Sequence, residues 1–202
     1  MPTITTLAEL RALYAAPGER ALAKQIPALE AHCRRSIALS PFVVLASHDG
    51  RGHVDASPRG GAPGFVQVDA QGRLLIPDAP GNNRLDTLEN IVASGELGLL
   101  FLIPGLDETL RVNGRAELST DAADIAACTT ERRAPRLVVR VSVEAAYLHC
   151  AKAFMRSKLW SAEAQVDPAT LPTIGQMIAD QTGLASAPET RAEMARRYAP
   201  DL

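Results

Sequence analysis

The chain has 202 residues, 47% of them hydrophobic and 22% charged, with a formal net charge of -2 and only 4% aromatics. That length suffices to bury a full core as one domain with helical additions, while scattered basic residues and scarce aromatics exclude the electrostatic stripe and stacking platforms of a nucleic-acid binder. No apolar run approaches the roughly 20 residues of a spanning helix, and no basic region followed by an apolar core opens the chain, so a soluble, cytoplasmic protein without a membrane partner is expected.

Thr6-Leu7-Ala8-Glu9 is a capping box, and Leu7, Leu10 and Tyr14 give a short amphipathic helix ended by Pro17-Gly18. A helical region from Glu19 to Leu39 follows, interrupted at Pro27. It carries Ile26, Leu29, Cys33 and Ile37 on one side and is expected to pack over the next segment.

From Pro41 the period changes to two. Phe42 to Ser47 and His53 to Ser57 flank the hairpin turn His48-Asp49-Gly50-Arg51-Gly52, and Phe65 to Val68 and Arg73 to Ile76 flank Asp69-Ala70-Gln71-Gly72. Leu97 to Ile103, Thr109 to Leu118 and Leu137 to Ala145 complete about seven strands, with one helix between the fourth and fifth. Tight turns between most strands favour a small antiparallel barrel over a doubly wound parallel sheet. Pro172 to Leu202 reads as one helix, marked by Ile174, Met177 and Ile178, and a charged amphipathic tail.

Three polar clusters interrupt this pattern. Asp55 to Gly64 is a strand end running into a Gly/Pro loop, where Gly60 and Gly61 would let a flat ligand approach the backbone and Arg59 could meet a phosphate or carbonyl. Leu74 to Ile91 reads as strand, loop and helix. Asn83, with Asp86 three residues on, is read as a helix N-cap with a partial capping box beside Arg84, which makes the first turn ready for an anion, most often a phosphate. The ordinary alternative is a capped helix whose Arg84 faces water. Thr109, Arg111, Asn113 and Arg115 share one strand face by alternation, which is either the solvent side of a sheet or the lining of a site.

Cys33, Cys128 and Cys150 are odd in number and far apart, and the four histidines form no H-E-x-x-H. Neither a disulfide framework nor a metal site is expected. His149 and Cys150 are read as structural, because no carboxylate or base is arranged beside them in sequence.

Taken together and in order, Ser57-Pro58-Arg59-Gly60, Asp78-Ala79-Pro80-Gly81-Asn82-Asn83-Arg84-Leu85-Asp86-Thr87 and Glu108-Thr109-Leu110-Arg111-Val112-Asn113-Gly114 make the chain resemble the FMN-binding split-barrel flavoproteins related to pyridoxamine 5'-phosphate oxidase. The resemblance covers about Pro41 to Trp160 and implies a mainly β split barrel with flanking helices. It divides the chain into a helical extension (1–40), an FMN-binding barrel (41–160) and a helical tail (161–202).

The resemblance also implies a homodimer with FMN at the subunit interface. The phosphate would be held where relatives carry a basic pair, here Asn83 and Arg84 beside Asn82, so one cation has become an amide that Arg59 or Arg111 would replace. Ser57 to Arg59 would lie along the ring or ribityl chain, and Ile76 and Pro77 would offer backbone groups to it. Thr109 falls where the oxidases have a glutamine near the flavin, and Arg111 shares its face. Tyr147 to Trp160 matches the closing segment that approaches the partner's flavin, which makes Lys152, Arg156 and Trp160 cross-dimer contacts. Small residues over one ring face would be Gly60, Gly61 and Gly81.

The implied activity is a flavin-dependent oxidoreductase acting on an unidentified small molecule by hydride transfer through flavin N5. Arg111, Lys152 or Arg156 would stabilise reduced flavin or hold a charged substrate, and no residue must act as nucleophile or general base. The alternative is a flavin, haem or deazaflavin binding or sensor protein. Pyridoxamine 5'-phosphate oxidation itself is disfavoured, since Arg197-Tyr198-Ala199-Pro200 follows a helical run with no tryptophan nearby.

Overall fold

In the computed structural model, residues 3–184 and 189–201 are described. Helix α1 (Leu7–Ala12) begins with the expected capping box, in which Thr6 Oγ1 accepts from the Glu9 amide and the Glu9 carboxylate accepts from the Thr6 amide. Helix α2 (Glu19–Ala23) follows. Neither buries a residue, so Leu7, Leu10 and Tyr14 stay exposed.

The region from Glu19 to Leu39 is not one interrupted helix. Between α2 and α3 (Ala31–Leu39) the chain extends, and Ile26 exchanges both backbone hydrogen bonds with Ala146 at 3.1 and 2.8 Å. Pro27 has no N–H to continue a helix, and pairing satisfies its neighbour instead. Cys33 and Ile37 of α3 reach the core, as their helical spacing implies.

Seven strands follow: β1 (Phe42–His48), β2 (Val54–Gly60), β3 (Gln67–Val68), β4 (Leu74–Pro77), β5 (Glu96–Leu102), β6 (Thr109–Ser119) and β7 (Val138–His149). They form one sheet in the order β2-β1-β5-β6-β7-β4-β3, every pair antiparallel. Leu74 and Ile76 of β4 belong to the same core as Val43 and Leu45 of β1, although three strands lie between β1 and β4. The sheet is therefore curled around that core as a half-barrel.

Helix α4 (Asp86–Ser94) lies between the fourth and fifth strands as expected, and buries Thr87, Leu88 and Ile91. Val92, which also fits the helical period, is 76% exposed. Helix α5 (Ala122–Cys128), between β6 and β7, is not foreshadowed by apolar periodicity; it starts at Asp121, whose carboxylate accepts from the Ala123 amide. Arg140 of β7 pins it by pairing with Asp124 and Glu117, and Ser119 donates to the same Asp124 carboxylate.

A β-bulge at Asn113/Gly114 bends the long β6–β7 ladder. A Cβ on Gly114 would lie 2.1 Å from the Ser142 carbonyl oxygen, so only glycine permits this approach. The chain closes with α6 (Lys152–Ser157), α7 (Ile174–Thr182) and α8 (Arg191–Tyr198), none of which buries a residue. No described helix is long and apolar enough to cross a membrane.

Candidate functional site

The loop from Asp78 to Leu85 leaves β4 at one side of the curled sheet, and α4 delivers its first turn to β2 at the other. Thr87, 1% exposed, donates its hydroxyl to Asp55 Oδ2 at 2.7 Å, and Ser57 Oγ donates to the same oxygen at 2.9 Å. Asn90 donates to Ser47 Oγ at 3.0 Å one turn later. This seam crosses the open side of the barrel.

The start of α4 differs from the sequence reading. The N-cap is Leu85, not Asn83, and it makes no side-chain cap hydrogen bond. Asn83 and Leu85 both hold left-handed backbone, at φ 60 and 61. Asn82 Oδ1 accepts from the Arg84 amide at 3.1 Å, so the amide side chain stabilises the preceding turn instead of capping the helix. The Arg84 guanidinium is 72% exposed and paired with Asp86 at 2.9 Å. The Asp86 carboxylate, with Asp55 adding a smaller effect, raises the guanidinium pKa above its ordinary value.

Strand pairing divides the other expected residues between two faces. Val43 opposes Arg59 and Leu45 opposes Ser57, so Ser57 and Arg59 share the inner face with the core. Arg59 donates to the Pro58 carbonyl at 2.9 Å and is partly exposed. As β2 is an edge strand, one side of its backbone has no strand partner. Ile76 is buried in the core and Pro77 partly so, and β3 ends at their neighbours, leaving both unpaired on the side away from β7.

Thr109 and Arg111 alternate with the core residues Leu110 and Val112 and so lie on the outer face. Thr109 is nonetheless 4% exposed. Arg111 donates to the Tyr147 hydroxyl at 3.0 Å, and Lys24 sits 5.4 Å from the same ring. Neither Tyr147 nor Lys24 stands out in the sequence as a neighbour of Arg111, because strand register sets Tyr147 opposite it and the end of α2 brings Lys24 to the same ring.

The closing segment is a third group. Lys152 and Arg156 are exposed on α6, and among the described residues their side chains make no ion pair or hydrogen bond. Trp160 stacks on Phe154 at 5.6 Å and donates to the Leu106 carbonyl at 2.8 Å. No described contact joins this group to Arg84. Gly61 does not offer room to a ligand, since a Cβ there would lie 2.7 Å from Phe65 Cβ; beside Gly81 the space is open. Asp55, Thr87, Asn90 and Ser47 are the members of the seam that sequence reasoning missed, and the available signal was a polar residue at a core position of a helix, Thr87 preceding Leu88.

An antiparallel seven-stranded half-barrel with flanking helices is a fold of the split-barrel class. The chain belongs to the pyridoxamine 5'-phosphate oxidase family, whose model matches residues 29–150. No curated protein matches it. Similar solved structures include HupZ of Group A Streptococcus, 16% identical over 59% of this chain and 93% of that one, with a TM-score of 0.48. A Clostridium acetobutylicum protein related to general stress protein 26, of the pyridoxinephosphate oxidase family, is 11% identical over 58% and 85%, with a TM-score of 0.45. A FAD-binding protein of Mesorhizobium loti is 16% identical over 62% and 99%, with a TM-score of 0.40.

Proposed function

We propose that this chain binds FMN, with the phosphate end at the start of α4, and works as a homodimeric flavin-dependent oxidoreductase on a small molecule. The observation that carries the reading is Leu85 at φ 61. A left-handed residue followed by helical Asp86 turns successive N–H groups toward one concave, uncapped position, the geometry that receives an anion. Holding a bulky residue there costs about 1–3 kcal/mol and is a mark of functional sites.

The residues present fit the phosphate in shape, and their charges decide what else is needed. Arg84 is paired with Asp86 and Arg59 donates to the Pro58 carbonyl, while a phosphate monoester brings nearly two negative charges. In this reading Lys152 and Arg156 of a second copy supply the missing cations. The flat ring would meet the unpaired backbone of β2 and of Ile76-Pro77, beside Ser57. When bound, the flavin supplies hydride transfer through N5. The chain holds it, keeps water from one side and places positive charge near the ring.

The division of faces supports the homodimer in this reading. Ser57 and Arg59 line the inner face and Thr109 and Arg111 the outer face, so a second copy is the means of presenting both sets to one ring. In this reading residues 41–160 form the flavin-binding barrel, with 1–40 and 161–202 as additions to it.

FMN titration followed by visible absorbance tests the reading. The unaltered chain should bind, and Arg84→Ala should weaken binding by at least ~1.5 kcal/mol, about tenfold, the low end for a charged hydrogen bond. Unchanged affinity removes Arg84 from the phosphate site. Bound flavin that a nicotinamide reduces and an added acceptor reoxidises supports the oxidoreductase; bound flavin that never cycles makes the chain a flavin carrier or sensor.

A further inference from the structure

A cleft of about 270 Å³ opens between α3 and the ends of β5, β6 and β7, away from the start of α4. Its buried and half-buried lining is Phe101, Ile103 and Leu110 together with the hydroxyl residues Ser36 and Thr109, while the exposed lining includes His32, Arg35 and Glu108. His32 and Arg35 are three apart on α3 and so present their side chains on one helix face. Only Thr109 is shared with the residues proposed for the flavin.

Arg35 is unlike the arginines around it. Arg34 donates to the Leu29 carbonyl, Arg73 pairs with Asp69 and Arg111 donates to Tyr147. Among the described residues the Arg35 guanidinium has no hydrogen bond and no ion pair. It stands as an unengaged fork of donors at the mouth of the cleft.

We propose that this cleft binds a small aryl or branched-alkyl carboxylate, its hydrocarbon body against Phe101 and Ile103 and its carboxylate on Arg35. At about 270 Å³ the cleft lies just below the ~300–1,000 Å³ of sites for drug-sized ligands, which suits a small ligand such as one ring with a short acid arm. The guanidinium fork matches the two oxygens of a carboxylate. The Glu108 carboxylate on the same rim opposes any anion, and it opposes a phosphate ester, with nearly twice the charge, about twice as strongly while one unengaged guanidinium attracts either. The proposal does not depend on flavin binding.

Calorimetric titration of the full chain with phenylacetate, phenylacetamide and phenyl phosphate tests it. Phenylacetate should saturate one site per chain and bind at least tenfold tighter than the amide. Arg35→Gln, at an exposed position, should weaken phenylacetate at least tenfold without lowering the melting temperature. Leu39→Trp, which fills a lining position, should abolish binding while the circular dichroism spectrum is kept. No binding of phenylacetate, equal binding of the amide, tighter binding of phenyl phosphate, or an unaltered affinity in Arg35→Gln would each overturn the proposal.

Discussion

Thr87 and Asp55, 32 residues apart, meet through a 2.7 Å hydrogen bond that ties the first turn of α4 to the edge strand β2 across the open side of the barrel. The hydroxyl is buried, and Asp55 receives a second bond from Ser57. The candidate site is therefore a seam held by one carboxylate.

Thr87→Val keeps the shape and removes the donor. Asp55 then retains one of its two side-chain hydrogen bonds, and stability should fall by about 1–3 kcal/mol. At roughly 2–4 °C per kcal/mol for a chain of this size, thermal unfolding should show the loss, and Thr87→Ser should recover most of it. An unchanged melting temperature would mean that the seam contributes nothing to stability.

The Asp124–Arg140 pair gives an acid-sensitive contribution. The Ser119 hydroxyl holds the Asp124 carboxyl below its ordinary value, with Arg140 assisting against the cost of burial. A depressed folded pKa means that the unfolded chain binds the proton more readily, so this stabilisation is present in full above about pH 4 and is lost as pH falls through the lower folded value. Asp124→Asn should cost about 1.5–3 kcal/mol at neutral pH, because half-buried Arg140 is left with Glu117 as its one charged partner beside the Ser119 hydroxyl, and should flatten the acid limb of the stability curve. Urea unfolding at a series of pH values measures both effects.

Gly114→Ala drives a methyl into the Ser142 carbonyl at the bulge. The closest atom is backbone, paired in the sheet, and cannot yield as a flexible side chain would, so at least ~2 kcal/mol of destabilisation is expected, near the upper part of the overpacking range. Denaturant titration should show a lowered midpoint with unchanged slope. Loss of the bulge would also shift the register that sets Arg111 against Tyr147.

Burial pushes the thiols of Cys33 and Cys128 up to about 11. Cys150 is exposed. Alkylation at pH 7 followed by peptide mass spectrometry should label Cys150 first and the other two only after denaturation. Fast labelling of Cys33 would show that α3 separates readily from the sheet.

The strands and the helix between the fourth and fifth were legible in the sequence because each depends on local pattern. Alternation in Val139, Val141 and Val143, the turn chemistry of Asp69 to Gly72, and the Thr6 to Glu9 capping box all act over a few residues. The loop that joins β4 to α4 was legible for the same reason. Local pattern alone did not decide which atoms face one another. The chain chose Leu85 over Asn83 as the N-cap, because Asn82 and the Arg84–Asp86 pair hold the turn that precedes it. Long-range pairing set Ser57 and Arg59 on one face of the sheet and Thr109 and Arg111 on the other, and joined Asp55 to Thr87. Those contacts depend on register between distant strands, and register belongs to the curled sheet as a whole.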